Sequence, residues 1–160
     1  MLSKIHKNIV VKMPLIKERL KAVRILTKEG IRVNVTLCFS PVLALLAAKV
    51  GASYISPFIG RLDDRGENGM NLIENILRMY EKGDRHVEVL TASVRNLNHL
   101  LYAIHLWSDI VTAPFKILKE WAEKGMPMPP EDFVYDAGNL KPIPYEELDL
   151  DKDWSSFDIS

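Results

Sequence analysis

Short β-branched or apolar runs alternate with helix-forming stretches along residues 8 to 124, and no other feature limits the possible folds so strongly. Asn8 to Lys12 holds the run Ile9-Val10-Val11 and is followed by Pro14, which reads as a buried strand ending in a lysine. Leu15 to Glu29 places Ile16, Leu20, Val23 and Leu26 at helical spacing, with Gly30 where a helix closes. Ile31 to Phe39 is strand-like, Pro41 to Val50 is an almost wholly apolar helix ending at Gly51, and Tyr54 to Ile59 is a strand. Gly60 to Gly69 reads as a polar loop before a helix carrying Ile73, Ile76, Leu77 and Tyr80, which Gly83-Asp84 ends. Val87 to Thr91 is a strand, Leu97 to Leu106 a helix, Asp109 to Thr112 a last strand, and Pro114 opens a helix through Trp121. Five strands alternating with five helices over short connections call for parallel pairing with helix crossovers. The expected class is α/β, as an open doubly wound sheet or part of a barrel.

Composition narrows the function. With 160 residues, 48% of them hydrophobic, the chain can build the core of one compact domain. Its 21 basic and 21 acidic residues cancel, and no basic block interleaved with aromatics is present, so nucleic acid is not an expected partner. Cys38 is the one cysteine and lies in an apolar run, as in a reduced protein where it serves as a small buried hydrophobe. No apolar run reaches about 18 residues and the start lacks a signal core, so no membrane span is expected and a cytoplasmic location is. His6, His86, His99 and His105 show no metal-ligand spacing, and Gly-rich phosphate loops are absent. No metal or other cofactor is expected.

A few residues could carry chemistry. A lysine closing a parallel strand places its amine at the carboxyl end of the sheet, where such folds keep their sites. Partial burial there would depress its pKa and supply the neutral amine for a Schiff base; the alternative for Lys12 is an amine snorkelling to solvent. Asn34 and Thr36 are two apart and share one face of their strand, while Val33, Val35 and Leu37 share the other. Such a polar pair either meets a substrate hydroxyl or catalytic water or is satisfied by neighbouring strands. Arg61 follows the third strand, and Ser93-Val94-Arg95-Asn96 lies between the fourth strand and its helix. Both segments suit a phosphate group, although either arginine alone could be a solvated charge.

Taken in order, Val10-Val11-Lys12-Met13-Pro14, Asn34 to Ser40, Ile55-Ser56-Pro57-Phe58-Ile59-Gly60-Arg61 and Ala92-Ser93-Val94-Arg95-Asn96 resemble the transaldolase and fructose-6-phosphate aldolase family. The resemblance runs from about Asn8 to Trp121. It implies a (β/α)8 TIM barrel, of which this chain would supply the fourth to the eighth βα units. It further implies that Lys12 forms the Schiff base with a ketose phosphate, Thr36 holds the catalytic water and Asn34 contacts the donor. Arg61, Ser93 and Arg95 would hold the phosphate, which fits a habit of this fold. Phe58 stands where the aldolases of the family tend to have tyrosine and transaldolases phenylalanine. The implied activity is therefore transfer of a dihydroxyacetone unit between sugar phosphates, with a fructose-6-phosphate aldolase-like activity as the alternative.

The family's first three βα units, with their catalytic aspartate, asparagine and water partner, have no counterpart here, and Asp63 and Asp64 do not match those positions. The expectation is a chain truncated at both ends, with residues 1–124 as a partial barrel domain and 125–160 as a Pro-rich arm. Such a chain is expected to be unstable alone, and could be an oligomerising or phosphate-binding module without activity. The arm carries Phe133, Tyr135, Tyr145, Trp154 and Phe157 and an acidic run near Asp149 to Asp153, so it is expected to dock on the barrel or on a neighbouring subunit of a homo-oligomer, the second being favoured.

Overall fold

The computed structural model describes residue 3 and residues 5–148; the acidic run from Asp149, Trp154 and Phe157 lie outside them. Among the described residues the elements are β1 (Val11–Pro14), α1 (Lys17–Lys28), β2 (Val33–Cys38), α2 (Pro41–Lys49), β3 (Tyr54–Pro57), α3 (Ile59–Asp63), α4 (Gly69–Glu81), β4 (Glu88–Thr91), α5 (Leu97–His105), β5 (Ile110–Val111) and α6 (Phe115–Glu123). All strand pairs are parallel, and the sheet runs in the order β1-β2-β3-β4-β5. A doubly wound sheet reverses its strand order at a switch point, and this one does not. The sequential order is that of a barrel wall, so the α/β expectation holds and the open doubly wound alternative falls away.

Local chemistry explains most boundaries. Ser40 Oγ accepts from Leu43 N and Pro41 takes the first helical position of α2, where its missing donor costs nothing. Asn68 and Asn96 cap α4 and α5 by accepting from Met70 N and His99 N. Gly51, after α2, sits at φ +88°, and an added Cβ would stand 3.0 Å from Thr27 Oγ1. Among the described residues, no helix is long and apolar enough to cross a membrane.

Three expectations need correction. The first strand starts at Val11 and runs through Pro14, so Lys12 is its second residue and does not close it. Proline is tolerated because, among the described residues, β1 pairs on one side only, with β2, and Leu15 N resumes the ladder by donating to Thr36 O at 2.8 Å. The segment after β3 is not wholly a loop: Ile59–Asp63 forms the short helix α3, so the described residues hold six helices and Arg61 lies on one of them. Finally, β2 does not alternate to its end. A bulge between Thr36 and Cys38 puts Leu37 at φ +63°, 40% exposed, so Leu37 does not join Val33 and Val35 on the covered face.

That covered face carries the core. Val33, Val35, Ile55 and Val89 point outward into a layer filled by Leu45 of α2, and by Leu72, Ile73, Ile76 and Met79 of α4. The opposite face carries a polar row in register: Lys12 beside Asn34, Asn34 beside Tyr54, Tyr54 beside Glu88. Thr36 and Ser56 form part of the next row towards the carboxyl end. Lys12 and Glu88 are exposed, since no element of the described chain covers this inner face.

The described part of the arm lies on α3, α4 and α5 of its own chain. Asn68 N donates to Lys141 O at 2.7 Å and Lys141 N to Gly66 O at 2.8 Å. Asn75 Nδ2 donates to Ile143 O and Pro144 O at 3.0 and 3.2 Å, and the Arg78 guanidinium stacks 3.9 Å from the Tyr145 ring centre. Tyr135 stacks on Tyr102 with ring centres 5.1 Å apart, and Lys82 pairs with Glu147 at the surface.

Candidate active site

Parallel pairing brings Lys12 and Asn34 side by side on the inner face, one on β1 and one on β2. Asn34 is oriented from the far side: Ser56 Oγ donates to Asn34 Oδ1 at 2.8 Å. The acceptor end of the amide is thereby occupied, and its donors are what Asn34 can offer. One row further up, Thr36 is 7% exposed and its Oγ1 is buried without a hydrogen-bond partner among the described residues. Leaving a buried hydroxyl unpaired costs about 1–3 kcal/mol, so the Thr36 hydroxyl has hydrogen-bonding capacity that the described residues do not use.

Phe58 is the next inward residue beyond Ser56. Its ring lies 5.8 Å from Lys12 Nζ and meets Phe39 edge-on, with centroids 6.4 Å apart at 74°. The amine thus has an apolar aromatic on one side and amide chemistry on the other. The partial burial expected of Lys12 is not seen, because the inner face on which it stands is open in the described chain.

The expected anion-binding residues are adjacent in backbone. Gly60 N donates to Ser93 O at 3.2 Å, which ties the start of α3 to the turn before α5. A Cβ at Gly60 would lie 2.3 Å from Ser93 O and 2.4 Å from Arg95 Nε, so this approach requires glycine. Ser93 takes the left-handed conformation at φ +64°. Arg61, next to Gly60, is exposed on α3. Arg95 is not free: its guanidinium pairs with Asp64 Oδ2 at 2.8 Å, an ion pair about half exposed on both sides.

Sequence reasoning missed Ser56, Asp64 and His99. Ser56 was within reach, since it follows Tyr54 by two and must share its face. Asp64 belongs to the polar run after β3, but its pairing with Arg95 crosses 31 residues and has no local signature. His99 is 1% exposed; its Nδ1 accepts from Arg95 N at 3.2 Å, and its Nε2 lies 2.9 Å from both Asp63 Oδ2 and Tyr135 Oη. Burial, then the charges of Asp63 and Asp136, push the Tyr135 phenol up to about 12.

Lysine, amide, orphaned hydroxyl and paired strand-end loops thus gather at one rim of a sequentially ordered parallel sheet. Comparison with known proteins accords with this geometry. The family model described as transaldolase/fructose-6-phosphate aldolase matches residues 1–148. A probable transaldolase of Caldicellulosiruptor saccharolyticus is 49% identical over 126 residues, covering 78% of this chain and 58% of its own. One from Myxococcus xanthus is 52% identical over 122 residues, covering 76% and 55%. One from Chlorobaculum parvum is 44% identical over 146 residues, covering 88% and 64%. This chain spans between 55% and 64% of the length of these three relatives. With all four segments of the rim inside the matched residues, the chain belongs to the transaldolase/fructose-6-phosphate aldolase family.

Proposed function

We propose that this chain carries the Schiff-base half of a transaldolase site, in which Lys12 bonds to the ketone of a ketose phosphate such as fructose 6-phosphate or sedoheptulose 7-phosphate. The observation that carries the reading is the in-register pair Lys12 and Asn34 beside the unpartnered Thr36 hydroxyl. In this reading the neutral Lys12 amine adds to the carbonyl carbon, and loss of water leaves a cationic iminium. The electron pair of the bond between the third and fourth carbons then moves toward the iminium nitrogen. The fourth carbon leaves as an aldehyde, and its hydroxyl proton passes to a base, which the family resemblance assigns to an aspartate outside this chain. The remaining enamine adds to an aldose phosphate, and water releases the product from Lys12.

Asn34 offers its amide donors to the donor sugar, and Thr36 Oγ1 hydrogen-bonds the water that leaves and returns. Arg61, Ser93 and Arg95 receive the phosphate; Arg95 does so by exchanging or sharing its partner Asp64, which is feasible because that pair is solvent-exposed and weak. Phe58 supplies no proton to the enamine, which favours transfer to a sugar over release of free dihydroxyacetone.

Incubation with fructose 6-phosphate and borohydride, followed by peptide mapping, tests the reading. An adduct on Lys12, lost in Lys12→Ala, supports it. An unmodified Lys12 on a folded chain would remove this chain's claim to the nucleophile. Phe58→Tyr is expected to raise free dihydroxyacetone formed without an acceptor; an unchanged product ratio would sink the role given to Phe58.

A further inference from the structure

We propose that His99 is a positioning residue that holds the Ser93–Arg95 turn in its anion-receiving shape, and that Tyr135 of the arm holds His99 in turn. The proposal rests on the reading of that turn as a phosphate site, and concerns how its geometry is kept. Ser93 is not glycine, yet it adopts φ +64°. Such a conformation persists only where neighbours over-determine it. Two ties are on hand: Gly60 N donates to Ser93 O, and Arg95 N donates to His99 Nδ1. The first fixes the turn from α3, the second from α5.

The second tie depends on which ring nitrogen carries the proton. Nδ1 can accept from Arg95 N only if the hydrogen of the ring sits on Nε2. Nε2 faces Asp63 Oδ2 and Tyr135 Oη, both at 2.9 Å, and its one hydrogen is shared between these two acceptors, the carboxylate and the phenol oxygen. Asp63 is itself held, because its other oxygen accepts from Gly69 N at 3.0 Å. A chain of contacts therefore runs from the arm through Tyr135 to His99, and from His99 to the backbone beside Arg95. A ligand entering the turn meets a backbone whose shape is set behind it by the buried His99 and its partners.

His99 is also the third residue of α5, and its own N–H donates to Asn96 Oδ1. A helix-capping role alone would make every replacement of the ring equivalent, whereas a positioning role distinguishes its two nitrogens. Asn at this position places an acceptor where Nδ1 stands and reaches no further. Gln reaches toward Asp63 and Tyr135 and offers nothing to Arg95.

Titration of the full chain with inorganic phosphate tests the proposal, with folding of each variant followed by its melting transition. Wild type is expected to bind. His99→Gln should weaken binding about fivefold or more, the loss of one well-placed hydrogen bond, while His99→Asn stays within about twofold of wild type. Tyr135→Phe should weaken binding in the same direction as Gln. Equal affinities for the Gln and Asn variants would overturn the role of His99, and an unchanged Tyr135→Phe would overturn that of the arm, each leaving the phosphate reading intact. A wild-type chain that ignores phosphate but still traps a sugar on Lys12 would overturn the phosphate reading and this inference with it.

Discussion

A methyl group at Gly60 would stand 2.3 Å from the Ser93 carbonyl oxygen, and that oxygen belongs to a backbone already in a left-handed turn. Arg95 could swing aside; the backbone has less room. Gly60→Ala is therefore expected to destabilise the chain by about 1–3 kcal/mol, a melting temperature lowered by roughly 3–10 °C. An unchanged melting curve would mean that the turn yields freely, and calorimetry decides it. Cys38 makes a second case. Burial pushes its thiol up to about 12. Thiol reagents at neutral pH should leave the folded chain unmodified and react once it unfolds. Labelling at the rate of a free thiol would contradict the packing around β2.

Among the elements, the arm shows how a segment without regular structure is held. Asn75 is buried on α4 and spends its amide on the carbonyls of Ile143 and Pro144. Asn75→Ala should release this stretch and cost about 1–2 kcal/mol, and chymotrypsin should then cut after Tyr145 faster than in wild type. An unchanged cleavage rate would show that Lys141 backbone pairing alone holds the arm. Tyr135 gives the arm a pH dependence. Its phenol titrates near 12 in the fold and near its ordinary value of about 10 in the unfolded chain. Between those values the unfolded chain holds fewer protons, so this contribution is complete below about pH 10 and falls as pH rises to 12. The ring is only half buried, so the expected size is on the order of 1 kcal/mol. Tyr80 and Tyr102 are pushed up too, chiefly by burial, so the difference between wild type and Tyr135→Phe isolates the term. Parallel unfolding curves for the two from pH 9 to 12 would count against it.

At the scale of the molecule, the alternation of strand and helix sufficed to anticipate a parallel sheet, because helix crossovers leave few other topologies. The inward pair Asn34 and Thr36 was legible for the same local reason, a period of two. Pro14 inside β1, the helix at Ile59–Asp63 and the bulge at Leu37 were not, since each depends on a neighbouring strand or turn that local periodicity does not encode. The coupling of Arg95 to Asp64 and His99 to Tyr135 was hidden likewise, being made between separate βα units and the arm. In hydrogen exchange, β2, β3 and β4, each paired on both sides, should be the slowest strands, and the two-residue β5 the fastest; the reverse order would reject this sheet as the stable unit. The bulge also decides the chemical inventory of the inner face. Were Leu37 an ordinary strand residue, a strict period of two would aim Cys38 inward after Asn34 and Thr36; with the bulge, Cys38 pairs with Pro57 and joins the helix-covered side. A thiol is a better nucleophile toward aldehydes than an amine is at neutral pH, and a cysteine beside Lys12 would divert sugars into hemithioacetals. One residue in an unusual conformation keeps the soft nucleophile behind the wall and, in the proposed Schiff-base reading, leaves the lysine without a rival.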